Sequence, residues 1–552
     1  MQRQFLPRLL AGCLLAAAFA RASDRLASGF QHPPASARPW VYWFWMDGNL
    51  SREGITADLE AMRRAGLGGV IIMEVDVGVP RGPVQFMSRA WRELFQHVAS
   101  EAARLGLEID LNASPGWTGS GGPWIKPAQS MQKLVSAETN LAGPACFRGA
   151  LPQPETREGF YRDVAVLAFH ALPAGAFRIP DLAEKALYQR GHYSSEPGVK
   201  SFIPVPAGAG ALPADQVIDP RRLVDVTPCL AAGGRLDWDV PAGQWTVVRF
   251  GHTSTGANTR PAPEPGVGLE CDKLEPTAID AHFEAFIGTL LRDLGPRARR
   301  SLTGVHIDSW EMGPQNWTAR FAEEFKHRRG YDPLPYLPVM TGRVVADREV
   351  SERFLWDLRQ TVQDLIVEQH ARHLRELAHR RHLRLSIEPY DGTPCDDLTY
   401  GAVADVPMCE FWSNCFATWF SCAEATSIAH TYGQRVIAAE AFTADDKERW
   451  QFHPATLKGL GDWAFCAGIN RLVIHRYAHQ PWLGRWPGMT MGPYGVHHER
   501  TQTWWGMVPA YHQYLARCQF LLQQGVAVAD VCYLTPEGAP HVFRPPQSAL
   551  RG

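Results

Sequence analysis

"WVYWFWMDGNLSREGITADLEAMRRAGLGGVIIMEV", residues 40–75, sets two short apolar runs on either side of one helical repeat. The first run, Trp40 to Met46, is apolar throughout and crowded with rings, so it reads as a buried strand. Ser51 can cap a helix that carries Ile55, Leu59 and Met62 on one face, and Gly66 stops it. "GGVIIMEV" (68–75) is the next strand. Ser88 opens a second helix bearing Leu94, Phe95, Val98, Ala102 and Leu105; Gly106 ends it, and "LEIDLN" (107–112) follows. Repeats of this kind build a parallel sheet with helices outside.

The rhythm breaks at residue 130. Residues 130–260 are rich in Pro, Gly and Ala and carry short alternating runs, "DVAVLAFHAL", "SFIPV" and "QWTVVRFGH". Regular alternation between frequent turns predicts a small inserted β domain rather than a linker. The α/β pattern resumes with a helix from Pro276 and a fourth strand, "GVHIDSWE" (304–311). A long helix from Ser351 to about His382 leads into "LRLSIEPY" (383–390). "ADVPMCEFW" (404–412), "RVIAAEAF" (435–442) and "RLVIHRY" (471–477) bring the strands to eight, with a last helix over about 500–524. The expected fold is α/β, a (β/α)8 TIM-like barrel with a β-rich, sandwich-like domain inserted after strand three. The expected division is a leader at 1–22, strands one to three in 33–129, the insertion at 130–260 and strands four to eight in 261–525. Residues 526–552 read as the start of a further, incomplete C-terminal domain, opening with a strand at "VADVCYL" (528–534).

Arg3 and Arg8, the apolar run Leu9–Ala20 and the small-x-small site Ala20-Arg21-Ala22 have the form of an export signal. The run is too short to span a bilayer. "LAGC" (10–13) resembles a lipoprotein box, but its apolar core follows Cys13 instead of preceding it, so cleavage near Ala22 is expected. The product is then secreted or periplasmic, without a membrane span. A formal net charge of −2 over 552 residues offers nothing to a nucleic acid. The cysteines show no CxxC pair and no zinc spacing, which predicts buried thiols, with Cys409, Cys415 and Cys422 as candidates for bridging.

Chemistry in such a barrel sits where the strands end. Those ends read Asp47; Glu74 and Asp76; Asn112; Asp308 and Glu311; Glu388; Glu410; Glu440; His475. Converging carboxylates are costly without a cation, a proton or a substrate. Two of them across a pocket are the minimum for cleaving a glycosidic bond, one donating a proton and the other activating water or attacking. Trp45, Trp117, Trp124, Trp310, Trp412, Trp419 and Trp482 lie near these acids in sequence, and indoles stack on the C–H faces of sugars, although core filling accounts for most of the rings in the first strand. "GSGG" (119–122) lacks the Lys-Ser/Thr of a phosphate loop and reads as a flexible active-site loop. His475 and His479 are candidates for binding hydroxyls, equally consistent with packed histidines. "GLECDKL" (268–274) offers Asp272 and Lys273 either to a sugar or to an interdomain salt bridge.

"RPWVYWFWMDGNLSREGITADLEAMRRAGLGGV", "SPGWTGSGGPWIKP", "GLECDKL", "HIDSWE", "ADVPMCEFW", "AAEAFT" and "HRYAHQPW" together resemble glycoside hydrolase family 106, the α-L-rhamnosidases, over nearly all of residues 33–535. The resemblance implies a barrel with β-rich accessory domains and inverting release of terminal α-L-rhamnosyl residues from oligo- or polysaccharides. It also implies a calcium ion that contacts the sugar hydroxyls. By motif, Glu311 corresponds to a general acid, Glu440 to a general base and Glu410 to a supporting glutamate, with acid and base interchangeable at this level. Substrate contacts are expected from Asp47, Trp117, Asp272, Asp308, Glu388, Trp412 and His475. Calcium takes six to eight oxygens, and Asp47, Asp308, Glu388 and Glu410 are available from separate strands, with no single loop to fix the ligand set. Strands four and seven stand on opposite sides of the barrel, which suits the roughly 6.5–9.5 Å that inversion requires. A glycosidase for another sugar and a non-catalytic carbohydrate-binding barrel are the alternatives. Family chains commonly continue past the barrel into further β domains, which makes a fragment a further expectation.

Overall fold

Trp40–Met46 forms strand β1 of the computed structural model, which describes residues 24–187, 211–390, 392–492, 494–535 and 538. It is followed in parallel by β2 (Gly69–Val75), β3 (Glu108–Asn112), β4 (Leu302–Ile307), β5 (Arg384–Ile387), β6 (Val406–Trp412), β7 (Ala438–Thr443) and β8 (Arg471–Ala478). Each strand pairs with the next, and β8 pairs with β1, closing an eight-stranded barrel.

The alternation of β1 sorts its rings. Val41, Trp43 and Trp45 point outward into the core formed with Ile55, Leu59 and Met62 of helix α1 (Arg52–Ala65) and Trp91 and Phe95 of α2 (Arg89–Leu105). Trp40, Tyr42, Phe44 and Met46 point into the barrel. Trp43 and Trp45 meet edge to face at 5.5 Å, and Trp45 meets Trp91 at the same separation, a geometry favoured by ring quadrupoles. Trp45 therefore glues helices to the sheet and does not reach the mouth. The glycine pair before β2 has a steric cause: a Cβ on Gly69 would lie 2.7 Å from the Trp40 ring. Both helices have the expected caps, Ser51 accepting from the Gly54 amide at 3.0 Å and Ser88 from the Trp91 amide at 3.2 Å.

Between β3 and β4, strands Gln132–Ala150, Tyr161–His170 and Arg235–Ser254, with the short Val224–Asp225 and Leu230–Ala231, make a five-stranded antiparallel sheet. Leu167, Phe169, Val248 and Phe250 pack into the main core from one face. On the other face Leu236, Trp238 and Val240 meet Trp245 and Val247. The register of the two long strands shifts at Gly143/Ala145, and Trp238 and Trp245 meet edge to face at 5.5 Å, so among the described residues this sheet folds back on itself in a sandwich-like way. "SFIPV" and the leader at 1–22 lie outside the described residues.

Several expectations change. β4 stops at Ile307, so Asp308 to Glu311 belong to its loop. The long helix starts at Arg348, capped by Asp347, and widens into π geometry over Ile366–Arg372 before ending at Arg380. The last helix is shorter, Val508–Leu522. Residues 528–534 form no strand: Val528 is 89% and Leu534 99% exposed, and among the described residues no strand lies beside them to take their backbone bonds. Every described cysteine is a free thiol; Cys409 and Cys422 lie 3.5 Å apart between β6 and the helix after it. Among the described residues no helix is long and apolar enough to cross a membrane.

The loop after β3 is fastened from below rather than flexible. Gly121–Gly122 pairs with Leu269–Glu270, and the Glu270 carboxylate accepts from Thr118 Oγ1 at 2.6 Å. Lys273 Nζ donates to Glu270 at 2.7 Å and to the Ser120 carbonyl at 2.9 Å, all without exposure to water. Asp272, expected near substrate, is also structural: it accepts from Thr318 Oγ1 at 2.6 Å and the Leu274 amide at 2.9 Å, and from Gln315.

Two outcomes follow from buried charge. Lys273→Met strands the Glu270 carboxylate and should lower stability by about 3–5 kcal/mol, whereas adding Glu270→Gln should restore much of the loss. A single variant that melts with the wild type would refute the fastening. Glu74 faces Trp91 outside the barrel, and burial pushes it up from 4.5 to about 8. The folded state thus keeps a proton that the unfolded chain releases, so this group's contribution is whole below about 4.5 and fades as pH rises toward about 8. Urea titrations of Glu74→Gln should show it gaining on the wild type by up to about 1.4 kcal/mol per pH unit across that window. A pH-independent difference would exclude this.

Candidate active site

At the C-terminal ends of the strands the barrel opens into a cavity of about 200 Å³. Phe44 of β1 and Met73 of β2 give it an apolar wall. Glu410 and Trp412 come from β6, Glu440 and Thr443 from β7, and His475 from β8. Loops add Trp117 after β3, Asp308, Ser309 and Glu311 after β4, Tyr390 after β5, and Met491 and Tyr494 after β8.

Glu410 and Glu440 occupy matching positions on neighbouring parallel strands, close enough that the charge of Glu410 acts on Glu440. Tyr390 donates its hydroxyl to Glu410 at 2.7 Å, and Thr443 donates to Glu440 at 2.5 Å. Burial first, then the charges of Glu410, Glu388 and Asp308, holds Glu440 well above the usual carboxylate range. Burial raises Glu410 in the same direction against the lowering effect of the Tyr390 hydroxyl. The two therefore hold a proton between them at neutral pH unless a cation stands nearby. His475 Nδ1 lies 3.8 Å from Glu440, and burial keeps its imidazole neutral, so it supplies no such cation.

Glu311 stands apart, half-buried on the loop after β4, where Trp117 Nε1 donates to it at 2.9 Å and Ser309 Oγ at 3.3 Å. Arg260 holds this loop through the Glu311 carbonyl, and the Trp310 amide ties it to Tyr390 at 2.9 Å. β4 and β7, which position Glu311 and Glu440, are three steps apart around the barrel.

Glu388 lies one layer below the cavity. It accepts from Tyr42 at 2.9 Å and from Tyr390 at 3.3 Å, and burial beside Asp308 and Glu410 raises it strongly. His306, Asp308 and Glu388 bring one potential ligand atom each within 4.8 Å of one another. His306 already uses both nitrogens, Nδ1 with Ser386 at 2.9 Å and Nε2 with Tyr42 at 3.1 Å and Asp308 at 3.2 Å. What remains open there is carboxylate oxygen, a donor set that fits a hard cation.

The cavity thus gathers Glu311, Glu410, Glu440, Asp308, Trp117, Trp412 and His475, with Glu388 directly behind. Asp47 falls outside it. Its backbone turns at φ +40° and its carboxylate faces Arg81 at 3.9 Å. His479 also faces away, bonding Asp58 at 2.7 Å beside Trp43 on the outer surface of the barrel. Trp124 stacks on Phe286, Trp310 packs against His370 and Tyr400, Trp419 against Phe420, and Trp482 lies under Arg485 on the surface. Tyr42, His306 and Tyr390 were not anticipated. His306 and Tyr390 each sit two residues from a residue already expected here, Asp308 and Glu388, and that period-2 spacing was the available signal; for Tyr42 the sequence offered only its place in the first strand.

The sequence model of the family described as alpha-L-rhamnosidase, glycoside hydrolase family 106, matches residues 31–188 and 206–549. A protein of Formosa agariphila named "Putative beta-glucuronidase" is 42% identical over 516 residues, which cover 94% of this chain and 43% of that protein. The structure of rhamnosidase from Novosphingobium sp. PP1Y is similar at a TM-score of 0.83 and 29% identity, over 93% of this chain and 62% of that one. The chain spans less than half the length of the curated relative and under two thirds of the solved one. With the family's pattern running through both halves of a barrel whose mouth gathers Glu311, Glu410 and Glu440, the chain belongs to glycoside hydrolase family 106.

Proposed function

We propose that the protein is an inverting glycoside hydrolase that removes terminal α-L-rhamnosyl residues from oligo- or polysaccharides. The observation that carries this reading is the composition of the cavity: carboxyls at two depths, an apolar wall of Phe44, Met73 and Met491, and no Lys or Arg among the described lining residues. A uronic acid brings a carboxylate that needs a cationic side-chain partner, because a calcium ion held by three carboxylates has no net positive charge left to offer it. A 6-deoxy sugar brings a methyl group that an apolar wall accepts and hydroxyls that the carboxyls accept. This is why the name carried by the Formosa agariphila relative is not preferred.

In the proposed reaction Glu311, at the rim, donates its proton to the glycosidic oxygen as the bond from C1 breaks. Glu440, deeper in the cavity, takes a proton from the water whose oxygen bonds to C1 from the opposite face. Glu410 and Tyr390 orient Glu440 and its neighbours. Asp308, Glu388 and Glu410 are the residues that would hold calcium, which when bound supplies the positive charge that lets these carboxylates stay ionised and offers positions for sugar hydroxyls. The leader-like residues 1–22 support export to the periplasm or medium.

Nitrophenyl α-L-rhamnoside is the test substrate, with nitrophenyl β-D-glucuronide beside it. Release from the rhamnoside should fall about 10²–10⁴-fold in Glu311→Gln and in Glu440→Gln, and should drop on chelation and return with added calcium. Proton NMR should show the β anomer of rhamnose first. Turnover of the glucuronide alone, a first-formed α anomer, or full activity in both variants would each reject part of the assignment: sugar, stereochemistry or residues.

A further inference from the structure

Around the opening of the cavity stand Trp117, Trp412, Phe416 and Tyr494. Trp412 meets Phe416 edge to face at 4.8 Å and Tyr494 at 6.2 Å, and Trp117 meets Tyr494 at 6.3 Å. Phe416 is 45% and Tyr494 38% exposed although both line the cavity. Rings left partly in water at a cavity mouth contribute little to the core and mark a surface that meets a ligand.

The position of Tyr494 is built rather than accidental. Fully buried Arg476 donates Nε to the Tyr494 carbonyl at 3.0 Å and Nη2 to Thr490 at 3.0 Å. The next amide, Gly495, donates to the Ala444 carbonyl at 2.7 Å, linking the loops after β7 and β8. Gly495 adopts φ +86°, and a Cβ there would lie 2.4 Å from Arg476, so the chain passes this point only as glycine. Glu448 and His497 pair at 2.8 Å across the same two loops. A backbone held this firmly beneath an exposed ring presents that ring for contact at little ordering cost.

Depth assigns the contact. Below the carboxyls the barrel is filled by side chains such as Tyr42, Met408 and Val473, so the cavity is blind and admits only a chain end. Glu311, bonded to Trp117, stands at the level of the rim. Resting on the hydrolytic reading above, we propose that Phe416 and Tyr494, with Trp412 between them, form a leaving-group subsite that binds the pyranose ring of the sugar to which the terminal residue is linked. The apolar C–H face of that sugar stacks on the rings while its linking oxygen faces Glu311.

Three substrates with one glycone test this: α-L-rhamnosyl fluoride, whose leaving group has no ring, an α-L-rhamnosyl disaccharide and nitrophenyl α-L-rhamnoside. In Phe416→Ala and in Tyr494→Ala the kcat/KM ratio of disaccharide to fluoride should fall about tenfold, and Tyr494→Phe should preserve it, because stacking needs the ring and not the hydroxyl. An unchanged ratio in both alanine variants overturns the subsite. A fall for the nitrophenyl substrate without one for the disaccharide overturns it as a sugar subsite. Wild-type turnover of the fluoride reports the hydrolytic reading separately, and its absence overturns both.

Discussion

Two glutamates at matching positions of neighbouring parallel strands cannot both be charged and dry. Glu410 and Glu440 are in that situation, side by side and screened from water, and much of the surrounding structure answers to it. Tyr390 donates to Glu410 and Thr443 to Glu440, while Tyr42 donates to Glu388 beneath them. Hydroxyl donors reduce the repulsion without cancelling the charge. The site is therefore poised between holding a proton and taking up a cation.

The scaffold that imposes this contact is stiff in a layered way. Outside the strands, Trp43, Trp45 and Trp91 lock two helices to the sheet. Above the strands, buried polar contacts secure loops that carry no regular structure: the Lys273–Glu270 ion pair under the loop of Trp117, and the Glu448–His497 hydrogen bond between the loops that follow β7 and β8. Buried pairs contribute little net stability, but they make one loop geometry far better than its alternatives. That matters where rings must be presented to a ligand while half in water.

Much of the fold was legible in the sequence because barrel strands buried on both faces are short apolar runs, and because Ser51, Gly66, Ser88 and Gly106 punctuate the first helices. The misreadings share one cause. "VADVCYL" has the composition of a strand, yet a strand exists only where another offers its edge. "GSGG" looks mobile until the Glu270 carboxylate is placed beneath it. Asp272 and Lys273 carry the chemistry of a binding site but face the underside of that loop.

By itself the sequence determined the order of eight strands, the point of insertion and the set of acids at the strand ends, since all of these follow from local periodicity. Only the tertiary structure decided which of those acids share a cavity. Period-2 alternation separates the two faces of a strand without saying which is inward, and a turn of one or two residues past its end redirects a side chain completely. So Glu440 looks into the barrel, Glu74 looks out toward Trp91, and Asp47 swings away to Arg81.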